Sequence, residues 1–434
     1  MLLQVGSTPT LVVSSLEMAE EILKTQAVVF ANRPPMSNTK KLFYGATDIG
    51  FSPYGPYWSQ LRKFCVHELL SAKRVRSIRY ISEEEVAITV DTISHSCKVG
   101  DSVNMTDLLH TLTNNLISRV ALGKIYQDKD DVNSKLWKLV REVGVLSITA
   151  SVEDYFPSLG WIDKLTGLDG RMKRVSKELD AFLDLVIEDH LTSNKDDRSQ
   201  ANQENFVDLL LQAHKDSTFN ISLTRDNIKA IILGILTGAT GITANTMECA
   251  MVELISKPTM IRKAQEEVRK VVGKKSMVQE GDILQMNYLK SIVKETLRLH
   301  CPPLLVPRES IEDTIVKGYH IPAKTKVLIN AWAINRDPKL WDKPEEFIPE
   351  RYSNSSTDFK GEVLQTLAFG AGQRGCPGSL FALASIELTL ATLLYWFDWE
   401  LAGNARKEGI DITEVSKRSI QKNHLYLLPN FHFS

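Results

Sequence analysis

The sequence predicts one mainly α-helical unit with small β-sheets, and three observations carry that expectation. Apolar residues recur at helical spacing through most of residues 56–190 and again through 223–298. Stretches with strand character are short and confined to the first residues, to 314–331 and to the C-terminal end. Across the 434 residues there is no internal repeat and no break in composition, so 1–434 reads as a single domain.

In chain order, residues 2–5 and 11–14 read as strands joined by a turn containing Gly6 and Pro9. This opening is apolar but has no basic flank, so it does not read as a targeting segment. A short helix is expected over 16–25. Helical periodicity is clearest over 83–94, 108–122 and 171–190, and residues 194–204 are polar enough for a solvated loop. Inside the second helical region, 230–247 carries no charge but holds four threonines, an asparagine and three glycines. At 18 residues it is short for a membrane span, which needs roughly 20, and a buried core helix is expected. Strands follow at 314–316, 319–321 and 327–331, with a turn at Pro322-Ala323-Lys324 between the last two. Proline-studded loop covers 337–357, an apolar helix 380–397, and a short hairpin closes the chain.

Composition narrows the function classes. A net charge of −1 leaves no basic excess for a nucleic-acid surface. Cysteines 65, 97, 249, 301 and 376 are odd in number and scattered, without a Cys-x-x-Cys pair. That pattern fits reduced thiols, not a disulfide framework or a zinc site.

Residues 369–378, Phe-Gly-Ala-Gly-Gln-Arg-Gly-Cys-Pro-Gly, carry the most chemistry. Glycines 370, 372, 375 and 378 let backbone approach a flat ligand and take positive φ. Cys376 stands at the mouth of the following helix, where free N–H groups and the positive dipole end favour a thiolate. Arg374 is placed to neutralise a carboxylate of that ligand. A thiolate presented to a flat anionic ligand is what an axial haem cysteine requires. As an isolated residue Cys376 would read as a buried thiol beside a turn. The full pattern Phe-x-x-Gly-x-Arg-x-Cys-x-Gly, at residue frequencies of about 5% each, arises by chance less than about once in a million positions.

This loop closely resembles the haem-binding signature of the cytochrome P450 family, and the resemblance runs in order along nearly the whole chain. It is nearest to plant microsomal monooxygenases acting on terpenoids, alkaloids and phenylpropanoids. The resemblance implies haem held by Cys376 as axial iron ligand within the frame of Phe369 and Gly378. It implies haem propionates met by Trp58, Arg62, Arg308 and Arg374, guanidinium forks suiting carboxylates better than lysine does. Read alone, Trp58 is a core anchor and Arg62 a surface charge.

Glu295 and Arg298 lie three apart on a predicted helix over 289–300 and can pair. The family joins this pair to a later arginine, here Arg351, in a buried structural cluster that holds the cysteine loop. A second Glu-x-x-Arg, Glu266 with Arg269, reads as a solvated pair.

Two departures from the family pattern stand out. Where its central helix carries an acid followed by a threonine, this chain has Gly241 and Ile242. That pair ordinarily organises the delivery of the two protons that oxygen cleavage needs. Thr240 and Thr243 are the candidates to supply a hydroxyl instead, through a helix loosened by Gly238 and Gly241. Their bland reading is a hydroxyl bonded back to its own helix. The segment from Cys301 to Leu305 is also one residue shorter than is common in the family and reshapes the expected pocket. That pocket draws on 38–54, 234–243, 304–306 and the region of Gln421, with a mostly apolar lining suited to a lipophilic molecule.

The resemblance therefore implies a monooxygenase that inserts one oxygen atom into a lipophilic plant metabolite. Electrons would come from NADPH through NADPH-cytochrome P450 reductase. Two alternatives stay open because of Gly241 and Ile242: a non-oxygenating isomerase or dehydratase, and a haem-binding paralogue without turnover. The family's usual location is the cytosolic face of the endoplasmic reticulum membrane. Its members begin with a membrane anchor, a proline-rich hinge and one more helix. This chain opens at what reads as the first sheet strand, so it is expected to be N-terminally truncated, with peripheral membrane contact or a cytosolic location.

Overall fold

The structure is a computed structural model that describes residues 1–126, 132–192, 204–216, 222–353, 367–403 and 424–432, apart from the side chains of 132–134. Nine strands are present among them: β1 (Leu2–Val5), β2 (Thr8–Val13), β3 (Val103–Asn104), β4 (Leu305–Glu309), β5 (Thr314–Val316), β6 (Tyr319–Ile321), β7 (Lys326–Asn330), β8 (Phe397–Leu401) and β9 (Tyr426–Phe431). They form three small sheets in the orders β1-β2-β7-β4, β3-β9-β8 and β5-β6. The β1–β2 hairpin turns at Gly6, whose φ of 60° suits glycine. β2 then runs parallel to β7, with Thr10 opposite Lys326, which ties the N-terminus to a segment three hundred residues later. The strand expectations hold at β1, β2, β5, β6 and β7, and the terminal hairpin is β8 paired antiparallel with β9. β4 was not expected. It contains Pro307, which donates no ladder bond, and the strand is tolerated because it sits at the sheet edge, with β7 on one side and a bridge from Glu309 to Asn32 on the other.

The helices used below are α1 (Leu16–Glu20), α2 (Ser37–Leu42), α3 (Pro56–Phe64), α4 (Ala72–Ser77), α5 (Arg79–Val99), α6 (Met105–Leu122), α7 (Val132–Ile148), α8 (Val152–Tyr155), α9 (Trp161–Leu165) and α10 (Leu168–Thr192). They continue with α11 (Phe206–Lys215), α12 (Arg225–Ala239), α13 (Gly241–Ile255), α14 (Pro258–Val272), α15 (Glu280–Ile283), α16 (Asn287–Leu299), α17 (Ala331–Ile334) and α18 (Ser379–Trp396). α12 starts on a reciprocal cap: Thr224 Oγ1 accepts from Asn227 N at 3.2 Å, and Thr224 N donates to Asn227 Oδ1 at 2.9 Å. The uncharged run is a core helix, as expected. α12 feeds a cluster with α6, α7, α10 and α11, while α13 and α18 pack in a second cluster with α5, α14 and α16. Over half of the most apolar window of α12–α13 and of α18 is buried in protein.

Three details differ from the sequence reading. Arg269 is not a solvated partner of Glu266. Its Nη2 donates to Asp398 Oδ1 at 2.8 Å and to the Phe397 carbonyl at 3.2 Å, because one face of α14 lies against the start of β8. The expected single central helix is interrupted for one residue at Thr240, between Gly238 and Gly241. The turn after α2 holds three consecutive positive φ values, 49° at Tyr44, 78° at Gly45 and 59° at Ala46. For Tyr44 and Ala46 that conformation costs about 1–2 kcal/mol each. Of the expected loops and pocket residues, 194–203, 354–357 and Gln421 lie outside the described residues.

Candidate active site

Glycine dictates the shape of the cysteine loop. Gly370 and Gly372 have φ of 69° and 68°. A Cβ on Gly372 would lie 1.9 Å from the Leu23 carbonyl oxygen, so only glycine lets the loop pass the chain that follows α1. Cys376 N donates to the Phe369 carbonyl at 2.7 Å, closing the loop just before α18 begins. The Cys376 thiol is open to solvent on one side and enclosed by protein on the others. Enclosure raises its pKa above the ordinary thiol value, against the opposing pull of the Gly378 N–H and the Arg62 guanidinium. The helix-mouth donor and the Arg62 charge act as expected, and desolvation opposes them with the larger effect. A bound metal reverses that balance, since a coordinating thiol is deprotonated outright.

Four guanidinium groups converge beside this loop. Arg374, on the loop, donates from Nε to the Ala31 carbonyl at 2.7 Å and from Nη2 to that of Ser52 at 2.6 Å. Its guanidinium carbon lies 4.0 Å from the centroid of the Trp58 ring. Arg62, one turn beyond Trp58 on α3, lies 5.7 Å from that ring, and its guanidinium makes no hydrogen bond among the described residues. Arg308 of β4 is almost wholly buried and donates from Nη1 to its neighbouring Pro307 carbonyl at 2.8 Å. The fourth is Arg33, which the sequence reading did not single out. It donates from Nε to the Gly50 carbonyl at 3.0 Å and from Nη1 to the Pro307 carbonyl. It thus joins the loop that orients Arg374 to the strand that carries Arg308.

The electrostatics are those of a cationic cradle. Burial first, then the charges of Arg33 and Arg62, bring Arg374 down to about 9. Burial brings Arg33 to about 10 against the pull of Asp48, and Arg308 falls well below its ordinary value through burial and its three arginine neighbours. Asp48 supplies the opposing carboxylate; it is buried, raised to about 6 by desolvation, and accepts from the Gly50 and Phe51 N–H groups at 2.8 and 3.2 Å. Four cations against one carboxylate, with Arg62 unbonded, suit a ligand carrying two carboxylates, and haem fits that description. Trp58 stands beside Arg374 and Arg62. Its indole N–H donates to the Ile49 carbonyl at 3.0 Å, so it meets the cradle through its ring face.

The central helix offers a second open surface. Gly238 and Ile242, four apart, are exposed in the middle of an otherwise buried helix, and Ile242 is 48% exposed. Thr240 is buried and its hydroxyl donates to the Leu236 carbonyl at 3.1 Å, the back-bonded arrangement. Thr243 is also buried, and its hydroxyl has no hydrogen-bond partner among the described residues. The open face thus carries glycines and an isoleucine and neither threonine. Leu304 and Leu305 are about half exposed, whereas Val306 packs in the core under the four-stranded sheet.

The charge cluster forms away from this cradle. Arg298 Nε and Nη2 each donate to Glu295 carboxylate oxygens at 2.8 Å, with both residues fully buried. Arg298 Nη1 reaches the carbonyls of Asn335 and Pro344 at 2.7 Å, and Nη2 also reaches that of Glu346 at 3.0 Å. Arg351 Nε joins Glu295 Oε1 at 3.0 Å. Apart from Glu295 and Arg298 themselves, these partners lie within 335–351, so among the described residues the cluster grips the segment leading towards the cysteine loop, not the loop itself.

Comparison with known proteins agrees with this geometry. The family model "Cytochrome P450" matches residues 1–427. "Cytochrome P450 71A1" of Persea americana is 52% identical over 100% of this chain and 87% of its own length. Desmethylyatein synthase of Sinopodophyllum hexandrum is 46% identical over 95% of this chain and 83% of its own. Strychnine-11-hydroxylase of Strychnos nux-vomica is 43% identical over 97% and 82%. Among solved structures, a zebra fish cytochrome P450 with progesterone superposes with a TM-score of 0.81 at 22% identity, over 100% of this chain and 96% of that one. The chain belongs to the cytochrome P450 family of haem-iron monooxygenases.

Proposed function

We propose that residues 1–434 form one catalytic domain that inserts an oxygen atom into a lipophilic plant secondary metabolite, a terpenoid, alkaloid or phenylpropanoid. The observation that carries this reading is the cradle of Arg33, Arg62, Arg308 and Arg374 beside Cys376, four cations around one carboxylate. Haem bound there supplies the oxygen-activating redox chemistry of the family. In this assignment Cys376 holds the iron and donates electron density to it. Phe369 and Gly378 frame the sulfur. Arg62, Arg308 and Arg374 hold the propionates, Trp58 backs two of the guanidiniums, and Glu295, Arg298 and Arg351 brace the segment leading towards the loop. The named activities of similar proteins, a strychnine 11-hydroxylase and a phenylacetaldehyde oxime monooxygenase, support a small apolar substrate.

Electrons come, in this reading, from NADPH through NADPH-cytochrome P450 reductase. The exposed Lys73 and Arg76 on α4, which packs against α18, support an acidic redox partner there. Peripheral contact with the cytosolic face of the endoplasmic reticulum membrane is supported by an exposed apolar cluster. Leu2, Leu3 and Val5 on β1 stand near Phe156, Leu159, Trp161 and Leu165, joined by Ser7 N donating to the Tyr155 carbonyl at 2.8 Å.

A second reading is favoured by the helix face at Gly241 and Ile242, which presents no hydroxyl or acid: a rearrangement or dehydration that needs no protons from the protein. Thr243, whose hydroxyl has no partner among the described residues, is the remaining relay candidate in the oxygenase reading, and Thr240 serves it only by releasing Leu236. The test reconstitutes the haem-loaded chain with the reductase, profiles products from a plant metabolite mixture and measures peroxide. A red-shifted Soret band with carbon monoxide after reduction, and NADPH consumption matched by oxygenated product, is the expected result. A histidine-like band, or complete loss of electrons to peroxide that Ile242→Thr with Gly241→Asp fails to cure, overturns it.

A further inference from the structure

The left-handed turn at Tyr44-Gly45-Ala46 is held by groups remote in sequence. Tyr44 Oη donates to Asp180 Oδ1 on α10 at 2.8 Å. Lys229 Nζ, on α12, donates to that same oxygen at 2.6 Å and to Asp184 Oδ2 at 2.8 Å. The Lys229 ammonium also stands 5.8 Å from the Tyr44 ring centroid. Lys229 is only 4% exposed, whereas Asp180 and Asp184 side chains are about two-fifths exposed. The ammonium is therefore fixed in the interior by two carboxylates that water reaches from outside. One uncharged O–H, that of Tyr44, ties the turn to them.

What that turn positions lies in the site. Two residues after Ala46, Asp48 sits against Gly234 of α12, where a Cβ would stand 3.1 Å from its Oδ2. The Ile49 and Ser52 carbonyls then receive Trp58 and Arg374. One turn along the helix from Gly234 the open face begins at Gly238 and Ile242. Tyr44 and Ala46 keep a backbone conformation that residues with a Cβ disfavour. Release of the Tyr44 hydroxyl would free the turn at 44–46 to relax to ordinary negative φ, while Tyr57, Trp58, Arg33 and Arg374 still hold the carbonyls of Thr47, Ile49, Gly50 and Ser52.

We propose that Tyr44, Asp180 and Lys229 form a latch that sets substrate access to the open face of the central helix, making them specificity-determining residues. This rests on the reading of the chain as an enzyme for a lipophilic small molecule, and its test does not depend on turnover. Two measurements on the haem-loaded protein decide it: amide hydrogen exchange of residues 44–52, and the stopped-flow association rate of 4-phenylimidazole followed at the Soret band. Tyr44→Phe removes one hydroxyl and leaves the charge pairs intact. It is expected to raise both rates about tenfold, the effect of losing a hydrogen bond to a charged group. Ala46→Gly relieves the strain with the latch in place and is expected to slow both. Tyr44→Phe at wild-type exchange overturns the latch, and faster exchange with unchanged probe association overturns its control of access. Loss of the thiolate carbon monoxide band in the wild-type protein would instead defeat the functional reading and leave the exchange result standing.

Discussion

Replacing Glu295 by glutamine keeps the side chain's size and removes the charge that two arginines share. Its Oε1 accepts three hydrogen bonds, from Arg298 Nη2 at 2.8 Å, Arg351 Nε at 3.0 Å and Ile348 N at 2.8 Å, and Oε2 accepts Arg298 Nε at 2.8 Å. The amide nitrogen would face donors, and Arg298, fully buried, would lose the one carboxylate it pairs with among the described residues. Removing one partner of such a pair costs about 3–5 kcal/mol. With an unfolding entropy of about 2.1 cal/mol/K per residue, a chain this long loses roughly 3–6 °C of melting temperature. Arg351→Lys keeps a charge at the more open edge of the cluster and is expected to lower it by about 1–2 °C. Thermal unfolding of the haem-loaded proteins, followed by far-ultraviolet circular dichroism together with the Soret band, measures both. A Glu295→Gln protein melting within about 1 °C of wild type, or less perturbed than Arg351→Lys, would refute the reasoning.

Two further outcomes follow from the loop and the cradle. Gly372→Ala brings a Cβ to 1.9 Å from the Leu23 carbonyl at a φ of 68°, whereas at Gly370, φ 69°, the nearest atom would be 3.9 Å away. Gly372→Ala is therefore expected to abolish haem retention and Gly370→Ala to cost about 1–2 kcal/mol; equal haem content in the two purified variants counts against the packing assignment. Asp48, lifted to about 6, holds its proton over a range where an unfolded carboxyl near 3.9 has released it. The folded state then binds more protons, so this group makes stability fall as pH rises from about 4 to about 6 and adds no slope above. Asp48→Asn keeps an acceptor for one of the two N–H groups of Gly50 and Phe51 and is expected to remove that part of the slope. Urea midpoints across this range check it, and an unchanged slope goes against a buried, titrating Asp48.

What was readable in the sequence was local. Glycines around Cys376 announce a backbone that must turn left-handed and pass close to other chain, and Gly372 meets Leu23 in that way. Glu295 and Arg298 at helical spacing announce a pair. Strands of alternating or β-branched residues announce β5 and β6, while β4 stayed hidden because Pro307 breaks the pattern that an edge strand tolerates. Arg33 and Asp48 carried no signal. A charge before two prolines and an aspartate in a turn look like solvated loop until residues 33, 48, 62, 308 and 374 are brought together. Arg269 was misjudged for the same reason, since its partner Asp398 is remote in the chain.

The sequence by itself determined the residue types of the candidate site: a lone cysteine in a glycine loop, arginines able to meet carboxylates, and a central helix with neither acid nor alcohol at 241 and 242. These are statements about residue type and spacing, which short-range geometry translates directly. Only the tertiary structure decided how charge and burial balance. It raised the Cys376 thiol, gathered four guanidiniums beside the cysteine loop, turned Trp58 towards Ile49 and bonded the Thr240 hydroxyl to Leu236. Each outcome depends on how much water and which charges surround a group, and folding sets both by joining segments hundreds of residues apart.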